Sequence, residues 1–396
     1  MRPLDKIRVL DLTNVLAGPF CCHQLAHLGA EVIKVEAAGR GDLARRLGGD
    51  PELNDRRMGV SFLAQNAGKK SITLNLKDSR GKDLLKRLVG GSRVLVENFR
   101  PGVMDRLNLG WPVLREVNPK LVYAAISGFG QDGPWADRPA YDQIIQGASG
   151  IMSITGDDRS GPFRVGYPIA DTIGGLTAAM AVCAALNNRD RGTFIDVSML
   201  ESVLATTGWV ISNWLNAGVH PGAHGNDNIT SSPSGTFQAA DAPINIAANK
   251  EEQWRILARH LGREELIGDP RFATREARKR NRAALTEQIE KTLRTRPARE
   301  WVEELNRLGV PSGVVLDVET VLEHEVIASR GMLGTFENVP GVGRDIQVVG
   351  TGVKLDGKAP RVGDPPPILG QHNDEIYGSL GLDVEEVDAL RAEGVI

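Results

Sequence analysis

The alternation of short β-branched runs with amphipathic stretches, from Ile7 to about Ile126, restricts the fold of this chain more than any other feature. IRVLDLT, GPFCCHQLAHLGA and EVIKVE are followed by SITLNL, KDSRGKDLLKRLVGG and RVLVENF, a repeated strand–helix–strand pattern. In the second unit Asp78 is placed to cap the helix, and Gly90–Gly91 to end it before the next strand. Such a repeat predicts a parallel sheet with helices on both faces.

A third strand signal, LVYAAISGFG, runs into QDGPWADRPAYDQ, where Gly and Pro keep the backbone irregular at the expected carboxyl edge of the sheet. Open α/β sheets bind their ligands at that edge. Beyond it, the segment from Asp171 to about Asn187 reads as a buried helix and FIDVSM as a strand. Leu200 to Ala217 reads as one long apolar helix carrying Trp209 and Trp214, followed by a loop rich in Gly, Asn and Ser.

A length of 396 residues exceeds what one core usually holds. The composition shifts near His224 to charged amphipathic helices, KEEQWRILARHLGREELI and REARKRNRAALTEQIEKTLRTRPAREWVEELNRLGV. The expected organisation is a Rossmann-like α/β domain over residues 1–223 and a smaller, helix-rich α+β domain over 224–326. Residues 327–396 are then expected to link back and complete the first domain.

A formal charge of −3 gives no basic excess for binding nucleic acid or anionic lipid. The start, MRPLDKIRVLDLT, lacks the pattern of a signal peptide, and no apolar stretch is long enough to span a bilayer. The expectation is a cytoplasmic protein, or one of an organelle matrix. Cys21, Cys22 and Cys183 form no disulfide framework and fit a reducing compartment.

Several chemistries fail on the residues. Glu36 closes the second strand as in a dinucleotide fold, but TNVLAGPFCC offers Gly18 alone where a spaced glycine fingerprint would cradle a pyrophosphate. His23 and His27 share a helix face with Glu31 four residues on, yet Gly29–Ala30 ends that helix first. Packing is therefore the better reading of the pair, and no metal is expected. The cysteines have no neighbouring base, and no G-x-S-x-G elbow occurs.

Asp171 is the acid of most interest. An Asp ahead of an apolar run is an N-cap signature, and a cap would also hold the side chain as an anion, stabilised by helix N–H groups. Gly174 and Gly175 leave room beside it for a large substrate.

These blocks, in order, resemble family III CoA-transferases (CaiB/BaiF-like), the group that includes formyl-CoA:oxalate, carnitine and succinyl-CoA:glutarate CoA-transferases. The resemblance runs along essentially the whole chain. It rests on VLDLTNVLAGPF, LGAEVIKVE, KKSITLNLKDSRGK, VENFRPGVMDRLNLG, ISGFGQDGP, YDQIIQGASG, the aspartate before TIGG, and PPPILGQHN. It implies that Asp171 is a nucleophile and that CoA, a substrate rather than a prosthetic group, lies along the carboxyl edge. The implied CoA contacts are Leu16 and Ala17; Leu74, Asn75, Leu76 and Lys77; Asn98, Phe99, Arg100 and Arg106; and Tyr141 and Asp142. Lys77, Arg100 and Arg106 are the cations for phosphate or ribose. It also implies an interlocked homodimer.

The chain departs from the formyl-CoA:oxalate pattern at Leu16, where those enzymes carry a glutamine, and at Ala37, where they carry an arginine. Its loop reads AHGNDNITSSPSG where they have a triple-glycine lid. An apolar Leu16 disfavours a very small polar acid such as oxalate and points to a larger dicarboxylate, with succinyl-CoA or a similar thioester as donor. His224, Asn226 and Asn228 are candidate substrate contacts; a polar surface loop is the alternative. Two other functions stay open. α-Methylacyl-CoA racemases share the fold, although they place a histidine where this chain has Tyr141, and a CoA-binding homologue without catalysis would keep the same blocks.

Overall fold

A computed structural model describes residues 2–157 and 159–396. Six strands, β1 (Arg8–Asp11), β2 (Glu31–Glu36), β3 (Lys69–Thr73), β4 (Val94–Glu97), β5 (Val122–Ser127) and β6 (Thr193–Ser198), form one sheet in the order 3-2-1-4-5-6. Every pairing is parallel. This is the doubly wound order, in which the chain leaves β1 in one direction for β2 and β3 and later returns to the other side for β4. The α/β reading of the sequence holds. The helices do as the punctuation demands: Asp78 accepts from the Arg80 N–H at the start of the Ser79–Gly90 helix, and Gly91 ends it.

Apolar side chains alternate across the sheet and build a core on each face. On one face the Ala17–His27 and Ile169–Ala185 helices pack over Val9, Val32, Val96 and Ala124. On the other, Leu84, Leu85 and Leu88 meet Leu10, Ile33 and Leu95, and the C-terminal residues Ile376, Tyr377 and Val395 join them. Tyr377 donates to the Thr73 carbonyl at 2.7 Å, and the Asn75 N–H donates to the Val395 carbonyl at 2.7 Å.

Within the described residues the chain divides into two units, one of Met1–Met152, Arg164–Pro221 and Glu325–Ile396, the other of Ser153–Phe163 and Gly222–His324. Residues 153–163, which the sequence placed in the large domain, group with the second unit; there the Gly225 N–H donates to the Gly156 carbonyl at 2.6 Å. The second unit has an antiparallel sheet of β7 (Ser234–Gln238), β8 (Pro243–Ala247) and β9 (Ser312–Val314). Trp254, Leu257, Phe272, Ile289 and Trp301 build its core. In the first unit a hairpin of β10 (Leu333–Phe336) and β11 (Ile346–Val349) precedes the C-terminal helices.

The single apolar helix expected over Leu200–Ala217 is instead two, Met199–Thr206 and Gly208–Ala217, broken at Thr207–Gly208. The second buries none of its residues. The His pair packs as expected: His27 Nε2 lies 3.1 Å from His23 Nε2, and burial pushes the His23 pKa down to about 3. No helix among the described residues is long and apolar enough to cross a membrane.

Candidate active site

The pocket that gathers Asp171 and six of the twelve implied CoA contacts opens where the strand order reverses. Its walls are Asn14–Ala17 after β1, Asn98–Pro101 after β4, Ser127 and Gly128 at the end of β5, and residues from Ala136 to Tyr141, with Asp171, Leu43, Ile126 and Met199. The cavity is about 360 Å³. Ligands of doubly wound sheets bind at this point because the two loops diverge there and leave a crevice.

Two reciprocal hydrogen bonds join the first walls. The Asn14 N–H donates to Asn98 Oδ1 at 2.8 Å, and Asn98 Nδ2 donates to the Asn14 carbonyl at 2.9 Å. Asn98 thus lines the pocket while using its amide to tie the β1 and β4 loops together. The Ala17–His27 helix begins here with no side-chain cap, and no hydrogen bond found among the described residues uses the N–H of Leu16, Ala17 or Gly18. Free helix N–H groups favour negative charge.

Asp171 lies in the first turn of the Ile169–Ala185 helix, not at its N-cap, which is Pro168. The capping expected of Asp171 falls to Asp142: its Oδ1 accepts from the Ala170 N–H at 2.8 Å and from the Asp171 N–H at 3.4 Å, while Gln146 Nε2 donates to its Oδ2 at 2.7 Å. The Asp171 carboxylate itself has no hydrogen bond or ion pair among the described residues. Burial, and then the charge of Asp142, raise its pKa to about 7. The expectation that capping keeps it anionic is therefore corrected: its surroundings favour the protonated form, because the helix N–H groups are spent on Asp142.

Gly174 and Gly175 serve helix packing rather than substrate space. A Cβ on Gly174 would lie 2.9 Å from Met199 Cγ, and one on Gly175 would lie 2.5 Å from the Ala17 carbonyl oxygen. Gly175 thus lets the two helices approach closely enough to set Ala17 beside Asp171.

Of the residues implied as CoA contacts, Leu16, Ala17, Asn98, Phe99, Arg100 and Tyr141 line the pocket with Asp171, and Asp142 sits behind it. Leu74, Asn75, Leu76, Lys77 and Arg106 do not line it. Leu74 is buried, the Asn75 carboxamide accepts from the Lys77 N–H, and Lys77 and Arg106 are exposed. His224, Asn226 and Asn228 belong to the second unit. Asn228 Oδ1 accepts from the Thr230 N–H and hydroxyl, so it shapes its own loop.

The sequence reading missed Arg138, which lines the pocket with its guanidinium over the Trp135 ring at 4.5 Å. Its position inside the Gly/Pro-rich segment at the carboxyl edge was the available signal. Another missed group is Glu97, buried at the end of β4, whose pKa burial raises to about 7. Among the described residues no cluster of His, Cys, Asp or Glu could hold a metal ion.

Fold and pocket together define an α/β protein with a crevice at the topological switch point of its sheet, walled in part by a carboxylate that has no partner among the described residues. The chain belongs to CoA-transferase family III, whose model matches residues 4–373, and it is a CoA-transferase. It is 40% identical over 352 residues to an acetyl-CoA:oxalate CoA-transferase of Acetobacter aceti, covering 88% of this chain and 90% of the relative. A succinyl-CoA–D-citramalate CoA-transferase of Chloroflexus aurantiacus is 36% identical over 408 residues, covering 100% of this chain and 98% of the relative. The crystal structure of a CAIB/BAIF family protein from Brucella suis superposes with a TM-score of 0.83 at 33% identity, covering 96% of this chain and 99% of that one.

Proposed function

We propose that the protein moves CoA from a short acyl-CoA to a free carboxylic acid through covalent intermediates on Asp171. The carboxylate attacks the thioester carbonyl, the C–S bond breaks, and a mixed anhydride and CoA thiolate form. The thiolate then attacks the aspartyl carbonyl of the anhydride, expelling the donor acid and leaving an aspartyl-CoA thioester. The acceptor carboxylate repeats these steps in reverse order. Each step exchanges one acyl linkage for another, so no ATP, metal or redox group is required. The observation that carries the reading is the Asp171 carboxylate itself, which lines the switch-point pocket with no partner among the described residues. The free N–H groups at the start of the Ala17–His27 helix supply donors for a developing oxyanion, and Arg100 and Arg138 supply positive charge for substrate carboxylate or phosphate.

For the donor we propose succinyl-CoA or a similar dicarboxylyl-CoA. Leu16 presents an apolar wall, which suits the methylenes of a longer acid better than oxalate. We also infer a homodimer, interlocked as the family resemblance suggests. Trp209 and Leu215 on the Gly208–Ala217 helix are 73% and 72% exposed in the single chain, and apolar surface of this kind marks interaction sites.

Incubation with succinyl-CoA or acetyl-CoA, followed by peptide mass spectrometry, should find CoA or hydroxylamine-trappable acyl on the Asp171 peptide. An unmodified peptide together with undiminished CoA transfer by Asp171→Ala would refute the mechanism. A panel of oxalate, succinate, glutarate, citramalate and mesaconate against both thioesters sorts the acids, and a preference for oxalate would overturn the reading of a larger dicarboxylate. Deuterium appearing at the α-carbon in D2O without CoA exchange would identify a racemase instead.

A further inference from the structure

One wall of the pocket is held in an unusual backbone conformation by charges that never touch the cavity. Val15 has φ +67°, a left-handed value that a β-branched residue rarely adopts. Its N–H donates to Asp42 Oδ1 at 2.9 Å, an oxygen that also accepts from the Ala44 N–H at 2.9 Å. The other carboxylate oxygen, Oδ2, makes an ion-pair contact of 2.9 Å with Lys34 Nζ, and Lys34 donates to the Thr13 carbonyl at 2.9 Å. Asp11 accepts from the Thr13 N–H at 3.0 Å, and Lys69 bridges Asp11 to the Pro19 carbonyl at 2.8 and 2.9 Å. Four buried charged side chains therefore grip the 13–19 segment from beneath, at its Thr13, Val15 and Pro19 backbone groups. Asp42 does not line the pocket, but Asn14, Val15, Leu16 and Ala17 do.

Buried, paired charges contribute little net stability over apolar residues of the same shape, so four of them under one pocket wall call for another explanation. Backbone strain concentrates where a protein must pre-set the geometry of a site. We propose that Asp42 is a positioning residue: by holding the Val15 peptide in its left-handed conformation, with Lys34 fixing the carboxylate, it sets the Leu16–Ala17 peptide against the thioester that Asp171 attacks. Without the clamp, Val15 relaxes to negative φ and rotates the following peptide away from the reacting carbonyl. The inference rests on the proposed chemistry of Asp171.

The test is single-turnover formation of the Asp171 adduct from succinyl-CoA, measured by rapid-quench mass spectrometry. Adduct in the wild type establishes the underlying chemistry, so the rates of the variants bear on the clamp alone. Asp42→Ala should lower the adduct rate by about 10–100-fold with KM changed less than about threefold. Asp42→Asn, which keeps an oxygen for the Val15 N–H, should lose less. Glycine has no left-handed penalty, a difference of about 5–30-fold in population, so adding Val15→Gly to Asp42→Ala should restore the rate by about that factor. A residue needed only for folding would give no such rescue. Hydrogen exchange of wild-type peptides spanning residues 13–18 gives a readout even if Asp42→Ala does not fold: the Val15 amide should be protected. A double variant no faster than Asp42→Ala, a folded Asp42→Ala with the wild-type adduct rate, or an unprotected Val15 amide would each overturn the proposal.

Discussion

Replacing Asp171 by Asn measures what the buried acid costs the fold. Burial first, and the charge of Asp142 second, raise its pKa to about 7, whereas an aspartate in the unfolded chain titrates at about 3.9. The gap of about three units, at about 1.36 kcal/mol each, bounds the penalty near about 4 kcal/mol. The side chain keeps some solvent contact, which lowers the expectation to about 2–3 kcal/mol. The folded protein holds this proton more tightly than the unfolded chain. Below about pH 4 both states are protonated and no penalty exists; it grows as pH rises toward 7 and is constant above. The Asn variant, near in shape to the protonated acid, should match the wild type at pH 4 and be more stable at pH 8. With about 2–4 °C per kcal/mol for domains of this size, the melting temperature should rise by about 4–12 °C at pH 8. Thermal unfolding followed by circular dichroism at pH 4, 5, 6, 7 and 8 reads the difference. A gap that does not change with pH, or a wild type at least as stable as the variant at pH 8, would refute the reasoning.

In the proposed chemistry only the anion of Asp171 attacks, so kcat/KM should rise with pH through about 7. Asp142→Asn should move that limb to lower pH by less than the whole shift, because burial is the larger cause; an unmoved limb would assign it to Glu97, which titrates in the same range. In Gly175→Ala, a Cβ 2.5 Å from the Ala17 carbonyl sets an overpacking cost of about 1–3 kcal/mol against about 1 kcal/mol of helix propensity gained. Urea unfolding should show a net loss of stability, and kcat should fall; a variant as stable and active as the wild type would mean the helices can part freely. Lys34→Met leaves the buried Asp42 without its cation and should destabilise by about 3–5 kcal/mol. Melting should show a larger loss at pH 8 than at pH 5, since the orphaned carboxylate is ionised at the higher pH.

The fold was legible wherever the information is local. β1 through β5 and the Ser79–Gly90 helix announce themselves by periodicity and by capping at Asp78 and Gly91, and the pocket lies at the carboxyl edge that the irregular Gly- and Pro-rich segment marked. What escaped depends on partners far along the chain. Lys34 and Lys69 look like solvent-facing charges in their strands, and only the assembled sheet shows that both are buried, with Lys34 registered beside Asp11 and Ser71 and Lys69 paired to Asp11. Asp171 reads as a cap because its own neighbourhood says so; that its place is taken by Asp142, 29 residues earlier, is a tertiary fact. Arg138 had a visible place but no pattern, since a lone arginine among Gly and Pro names no partner.

The way the tail closes onto β3 has a consequence for biosynthesis. Thr73 and Asn75 bond to Tyr377 and Val395, some 300 residues later, so the first unit is unfinished until residues 377–395 have been made. The second unit, Ser153–Phe163 and Gly222–His324, is synthesised in full before residues 377–395, and at about 5–20 residues per second it has several seconds' lead. Until that segment arrives, apolar Ile72 and Leu74 lack the company of Ile376 and Tyr377 in their core, which leaves apolar surface open on the nascent amino-terminal half and makes residues 376–395 a poor place for a deletion or a bulky insertion.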